Sequence, residues 1–192
     1  MVEGREPTKN VAAGNTQPLR SKVQVLDDLL RDGLRLVVCG TAAGTRSAAL
    51  KQHYAGPGNK FWRVLAEQGL TPRQLSPSEV ELLLDYGIGL TDLVKGQSGA
   101  DSDLHFGGTG TASLREKMLA LQPTVLCFNG KKSAQVFFGT KAIAYGEQHE
   151  RIGKTALYVA PSTSGAANGF WDISYWRGDG EEGGTLSPQP AQ

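Results

Sequence analysis

Three short runs of consecutive apolar residues, at 34–39, 124–128 and 156–160, punctuate the chain, and each is closed by a turn bearing Gly or Ser. Runs of this length without polar alternation suit strands covered on both faces, as in a parallel sheet. Between and around them the apolar positions fall at helical spacing. Such stretches lie at 24–31, at 59–68 with Phe61, Trp62 and Leu65 on one stripe, at 78–85 behind Pro77, at 113–121 and at 131–138. Strands alternating with helices predict an α/β fold, a three-layer α/β/α sandwich around a mainly parallel sheet. Ligands of such sheets bind beyond the carboxyl ends of the strands, so the loops after Cys39, Phe128 and Ala160 are the first places to look for a site.

Residues 1–22 and 178–192 are rich in Gly, Pro and polar residues without apolar period, and are expected to be flexible tails on a single domain at 23–177. A chain of 192 residues suits one such domain. Its 20 Lys and Arg nearly balance 19 Asp and Glu, so any nucleic-acid footprint must be local. Cys39 and Cys127 each sit inside an apolar run and read as buried free thiols. No stretch has the length and apolarity of a membrane span or a leader, which makes a soluble, cytoplasmic protein the expectation.

The turn after the first run, Gly40-Thr41-Ala42-Ala43-Gly44, places two glycines four apart where bare backbone can approach a ligand closely. It lacks the Lys-Ser/Thr pair of a phosphate-binding loop and the third glycine of a dinucleotide fingerprint. A second loop, His53-Tyr54-Ala55-Gly56-Pro57-Gly58-Asn59, carries one aromatic and ends on an Asn in helix-capping position. Tyr54 either packs inward or offers its ring to a planar base.

Taken with Pro161-Ser162-Thr163-Ser164-Gly165-Ala166-Ala167-Asn168-Gly169-Phe170-Trp171-Asp172, these stretches resemble the mismatch-specific uracil/thymine branch of the uracil-DNA glycosylase superfamily. The blocks Asp85-Tyr86-Gly87-Ile88-Gly89-Leu90-Thr91-Asp92-Leu93-Val94 and Cys127-Phe128-Asn129-Gly130-Lys131-Lys132 extend the similarity, which spans about 34–176 in register. The resemblance implies a four-stranded parallel sheet between helices. It also implies a monomer that flips a uracil-bearing nucleotide out of single- or double-stranded DNA, hydrolyses its N-glycosidic bond and so begins base excision repair. No metal or organic cofactor is implied. Gly40, Thr41, Ala43 and Gly44 would face the base, Tyr54 would stack on it, and Asn129 and Ser162 would line its pocket. Lys131, Lys132 and Ser164 would meet the DNA backbone, and Gly165, Ala166, Ala167 and Asn168 would enter the space vacated by the flipped nucleotide.

One departure matters. The family form of the first motif is Gly-Ile-Asn-Pro-Gly, whose Asn positions the attacking water, and Ala42 stands there instead. Alanine can neither donate nor accept a side-chain hydrogen bond. Asn59 is the first choice as replacement, although it also reads as a helix cap. His53 is a candidate proton donor to the leaving base, and Asp101 or Asp103 a candidate base acting on water. Ser162 and Ser164 can hold a water or a phosphate. The alternative that Ala42 leaves open is a catalytically silent relative that binds DNA. Ala166 and Ala167 make a poor wedge for a vacated stack, which predicts weak dependence on the opposite base and good activity on single strands.

Overall fold

The structure, a computed structural model, describes residues 24–177 and Leu186. The two expected tails fall outside the described residues except for Leu186, whose side chain is buried and whose N–H donates to the Arg177 carbonyl at 3.2 Å.

Five strands form one sheet in the order β2-β1-β3-β5-β4. The strands are β1 (Leu36–Gly40), β2 (Ile88–Asp92), β3 (Val125–Asn129), β4 (Gly146–Ile152) and β5 (Thr155–Ala160). The first four in spatial order run parallel, with Leu36 opposite both Ile88 and Val125, and Val125 opposite Ala156. Only β4 is antiparallel, paired to β5 through an irregular register between Glu147 and Arg151. The helices are α1 (Thr45–Leu50), α2 (Phe61–Glu67), α3 (Leu82–Asp85), α4 (Thr109–Leu121) and α5 (Lys131–Phe138).

Alternate residues of each central strand supply two cores. Leu36, Val38, Val125, Cys127, Tyr158 and Ala160 face one way, onto Phe61, Trp62 and Leu65 of α2 and onto Trp176. Val37, Cys39, Leu126, Phe128, Leu157 and Val159 face the other, onto α4 and α5. Burial of a large apolar side chain stabilises by about 1.5–3 kcal/mol, so both faces of the runs seen in the sequence contribute. The three-layer sandwich is as expected, and Cys39 and Cys127 are buried free thiols within it.

Three expectations need correction. The sheet has five strands where four were expected, because β4, with the sequence Gly-Glu-Gln-His-Glu-Arg-Ile, is an edge strand that is mostly exposed and carries no apolar run. β2 also escaped the apolar reading, since Gly89 interrupts it; a Cβ there would lie 2.8 Å from the Leu29 carbonyl oxygen. The expected helix at 24–31 is absent. Its Leu29 instead exchanges backbone hydrogen bonds with Leu90, both at 2.9 Å, and so runs beside β2.

Candidate functional site

The carboxyl ends of the parallel strands open on one cavity of about 640 Å³. Every residue singled out above for the site lines it except Asn168, together with Asp103 among the acids considered. Asn168 is nonetheless tied to that wall, because Lys60 Nζ bonds its side-chain oxygen. Asp103 is turned away and accepts from the Ser102 hydroxyl at 2.9 Å.

The turn at 40–44 continues the β1–β2 pairing past the end of the sheet. Leu93 N–H donates to the Gly40 carbonyl at 3.0 Å, Val94 N–H to Thr41 at 2.8 Å and Gly99 N–H to Ala43 at 3.0 Å. The carbonyls of the turn are thereby engaged, whereas the N–H groups of Ala42 and Gly44 meet no acceptor among the described residues. Free amides in a cavity wall are sites for developing negative charge.

Tyr54 holds a left-handed backbone conformation with φ 53°, which is uncommon for a residue with a side chain. Ser47, buried at the start of α1, accepts the N–H of Ala55 at 3.0 Å and fixes this loop. The Tyr54 ring stacks on Phe61 with centroids 3.9 Å apart and planes 22° from parallel. Packing and display are therefore not alternatives: Phe61 backs the ring, and the ring also lines the cavity. Burial, and then the neighbouring Asp92 charge, push the Tyr54 hydroxyl well above the usual tyrosine range.

The opposite wall is a clamp between strand ends. Asn129, the last residue of β3, accepts from Thr163 N–H at 2.9 Å and donates to Thr163 Oγ1 at 3.0 Å. Gly130, at φ 110°, follows it, and a Cβ there would come within 3.0 Å of Ser162 Cβ. Trp176 Nε1 donates to the Pro161 carbonyl at 2.9 Å, and Lys60 N–H to the Thr163 carbonyl at 2.8 Å. The turn at 161–168 is thus held from β3, from the loop before α2 and from the end of the domain.

Asp92, the last residue of β2, was not singled out from the sequence. Its carboxylate lines the cavity, and it makes no hydrogen bond or ion pair with a described residue. A Cβ on Gly40 would overlap its Oδ1, so the glycine is what leaves room for the acid. Burial raises the Asp92 pKa above the usual carboxylate range; Lys95 and His53 oppose the rise, and Asp28 adds to it. The signal that would have found Asp92 is the strand itself: once 88–92 is read as parallel, its carboxyl end joins the other three as a place for ligands.

The structure redistributes the other candidates. The Asn59 side-chain oxygen accepts the Phe61 N–H at 3.0 Å, so one of its two lone pairs serves the start of α2 while the residue lines the cavity. His53 Nε2 donates to the Asp27 carbonyl at 3.0 Å, and Nδ1 has no partner among the described residues. Asp101 stands at the rim against the Thr41 hydroxyl; burial lifts its pKa, and the Thr41 hydrogen bond and Lys132 work against the lift. Lys131 and Lys132 open α5, with Nζ 4.4 Å from the Tyr145 ring centroid and 4.7 Å from that of Phe106 respectively. Arg46 and Phe170, to which the sequence reading gave no role, also line the cavity.

The strand ends of the parallel sheet thus surround a cavity with free amides, a backed aromatic ring and an acid that bonds no described residue, a setting able to hold a planar ligand and to stabilise negative charge. The family model of the Uracil DNA glycosylase superfamily matches residues 28–174, and the chain belongs to that superfamily. The resemblance found in the motifs therefore holds at the level of the superfamily. The chain is also similar to a candidate uracil DNA glycosylase from Methanosarcina acetivorans, solved in solution by NMR. The two are 20% identical, with a TM-score of 0.49 over 78% of this chain and 89% of that one.

Proposed function

We propose that the chain is a monofunctional DNA glycosylase that takes a flipped uracil into this cavity and hydrolyses its N-glycosidic bond, with Asp92 as the acid that serves the attacking water. Superfamily membership supports action on DNA. The observation that carries the mechanism is the unpartnered Asp92 carboxylate, sharing a cavity with the free N–H groups of Ala42 and Gly44. Asp92 is half-buried, and a carboxylate partly withdrawn from water with no bonded cation costs stability; such a group in a cleft is a candidate for chemistry.

Tyr54, backed by Phe61, stacks on the everted base. The bond between base nitrogen and sugar C1′ breaks, and its electron pair leaves with the base. The Ala42 and Gly44 amides receive that charge, an interaction worth about 3 kcal/mol per donor in well-studied sites. The sugar becomes oxocarbenium-like, and the Asp92 charge stabilises it. Water oxygen then bonds to C1′ and gives a proton to Asp92, leaving an abasic site. Ala42 can replace the customary Asn because the acceptor comes from the neighbouring strand β2.

Only the ionised form of Asp92 can take that proton. Because burial holds its pKa above the ordinary carboxylate value, cleavage is expected to rise with pH through a higher midpoint than an exposed Asp would give. A uracil-containing oligonucleotide, incubated with the protein and then heated in alkali, tests the reading: nicking at uracil is expected. A strand retarded in a gel yet never nicked would make the chain a DNA-binding relative without the chemistry.

A further inference from the structure

Three large apolar side chains are exposed among the described residues, Leu50 at 46%, Leu119 at 54% and Phe170 at 78%. A single exposed hydrophobic residue is ordinary on a protein surface and by itself says nothing. Phe170 differs in two respects from the two leucines. It alone of the three lines the cavity, at its mouth, and it stands on a turn whose backbone is pinned on both sides.

The pinning is specific. The turn Gly165–Phe170 begins where the Ser164 hydroxyl accepts the Ala166 N–H at 3.3 Å and the Ser164 carbonyl accepts the Ala167 N–H at 3.0 Å. It ends where the Trp171 N–H donates to the Asn168 carbonyl at 3.3 Å. Lys60 crosses the whole element: its N–H holds Thr163, its Nζ bonds the Asn168 side chain, and the same Nζ lies 4.9 Å from the Trp171 ring centroid. An aromatic ring is therefore held out into solvent on fixed backbone, so inserting it into another molecule needs little further ordering. The residues ahead of it, Ala166 and Ala167, are small, and Arg46, Lys131 and Lys132 line the same mouth, where a phosphate backbone would run.

We infer that Phe170 is the wedge of this protein, entering the base stack left open by the flipped nucleotide and supplying the bulk that Ala166 and Ala167 lack. This rests on the glycosylase reading above. Large apolar side chains are the usual means by which proteins hold a duplex step unstacked. The inference revises the expectation drawn from the alanines: duplex DNA becomes a good substrate, and the duplex advantage resides in a residue beyond the motif's small-residue stretch.

The test measures single-turnover cleavage of one uracil-containing strand, alone and paired with G or A opposite, by the wild-type chain, Phe170→Ala and Phe170→Trp. The ratio of duplex to single-strand rates is expected to fall at least about tenfold in Phe170→Ala and to return toward wild type in Phe170→Trp. A 2-aminopurine beside the uracil, whose fluorescence rises when its stack opens, should brighten with the wild-type chain and less with Phe170→Ala. An unchanged ratio, or equal losses on both substrates, overturns the assignment while leaving the glycosylase reading intact. Absence of cleavage by the wild-type chain on every uracil substrate removes that reading, and the wedge with it.

Discussion

Asp28 and Asp92 are both acids of the β2 edge; both are partly desolvated and both feel Lys95, yet only Asp28 is hydrogen-bonded. Asp28 accepts from Thr91 Oγ1 at 2.7 Å, from Lys117 Nζ at 2.6 Å and from Lys95 Nζ. Burial alone would raise its pKa, but Lys95 and the hydrogen bonds from Lys117, Lys95 and Thr91 overcome that and hold it below the usual range. Asp92 receives none of these bonds, although Lys95 is near enough to act on it through space. Both cations that β2 and α4 bring to this corner are committed to the acid that ties the segment around Leu29 to the sheet. One acid is fully satisfied by bonded partners, and the other keeps its carboxylate unbonded at the cavity at the cost of partial desolvation.

The largest effect is expected at Asp92. Asp92→Asn is expected to lower cleavage by about 10²- to 10⁴-fold, read on the alkali-treated oligonucleotide, while the thermal midpoint at neutral pH rises. The sign follows from linkage: a carboxyl whose folded pKa is raised contributes stability below its unfolded pKa and loses it as pH climbs through the folded value, so the charge is a cost at pH 7. A lower midpoint in Asp92→Asn would mean that the carboxylate has partners after all.

Gly40→Ala attacks the same acid from behind, since the new Cβ claims the volume of Oδ1. A displaced Asp92 should lower cleavage about 10- to 100-fold with a smaller effect on DNA binding, measurable by single-turnover rates beside a gel-shift titration. Asp28→Asn tests the other half of the contrast. It should destabilise the domain by about 2–3 kcal/mol at neutral pH in urea unfolding, because two lysines lose a shared partner. Here the folded pKa is depressed, so the stabilisation exists above the unfolded value near 3.9 and fades as pH falls through the folded one. The gap between wild type and variant should narrow in acid. With Lys95 released toward Asp92 and the Asp28 charge gone, the acid limb of the cleavage profile should also move to lower pH. A limb that stays in place would sever the two acids. The smallest effect is expected from Asn59→Ala, about 1 kcal/mol of lost helix capping with cleavage within about threefold. A large loss of cleavage there would return the water to Asn59.

What the sequence determined by itself is whatever one strand or helix can state alone. The runs at 34–39, 124–128 and 156–160 overlap β1, β3 and β5, and the stretch at 131–138 coincides with α5, because burial on both faces and helical spacing are written locally. The motif blocks likewise led to the carboxyl ends of the parallel strands, and all the site residues named from them except Asn168 line one cavity. Tertiary structure decided the rest. Gly89 breaks the apolar run of β2 to admit the backbone of Leu29, and β4 stays polar because an edge strand has one neighbour. Asp92 belongs to the cavity only once β2 lies against β1, and it stays unpaired only because Lys95 and Lys117 turn to Asp28, a residue distant along the chain. A carboxylate's desolvation and its partners are properties of neighbours brought together by folding, so spacing along the chain carries no record of them.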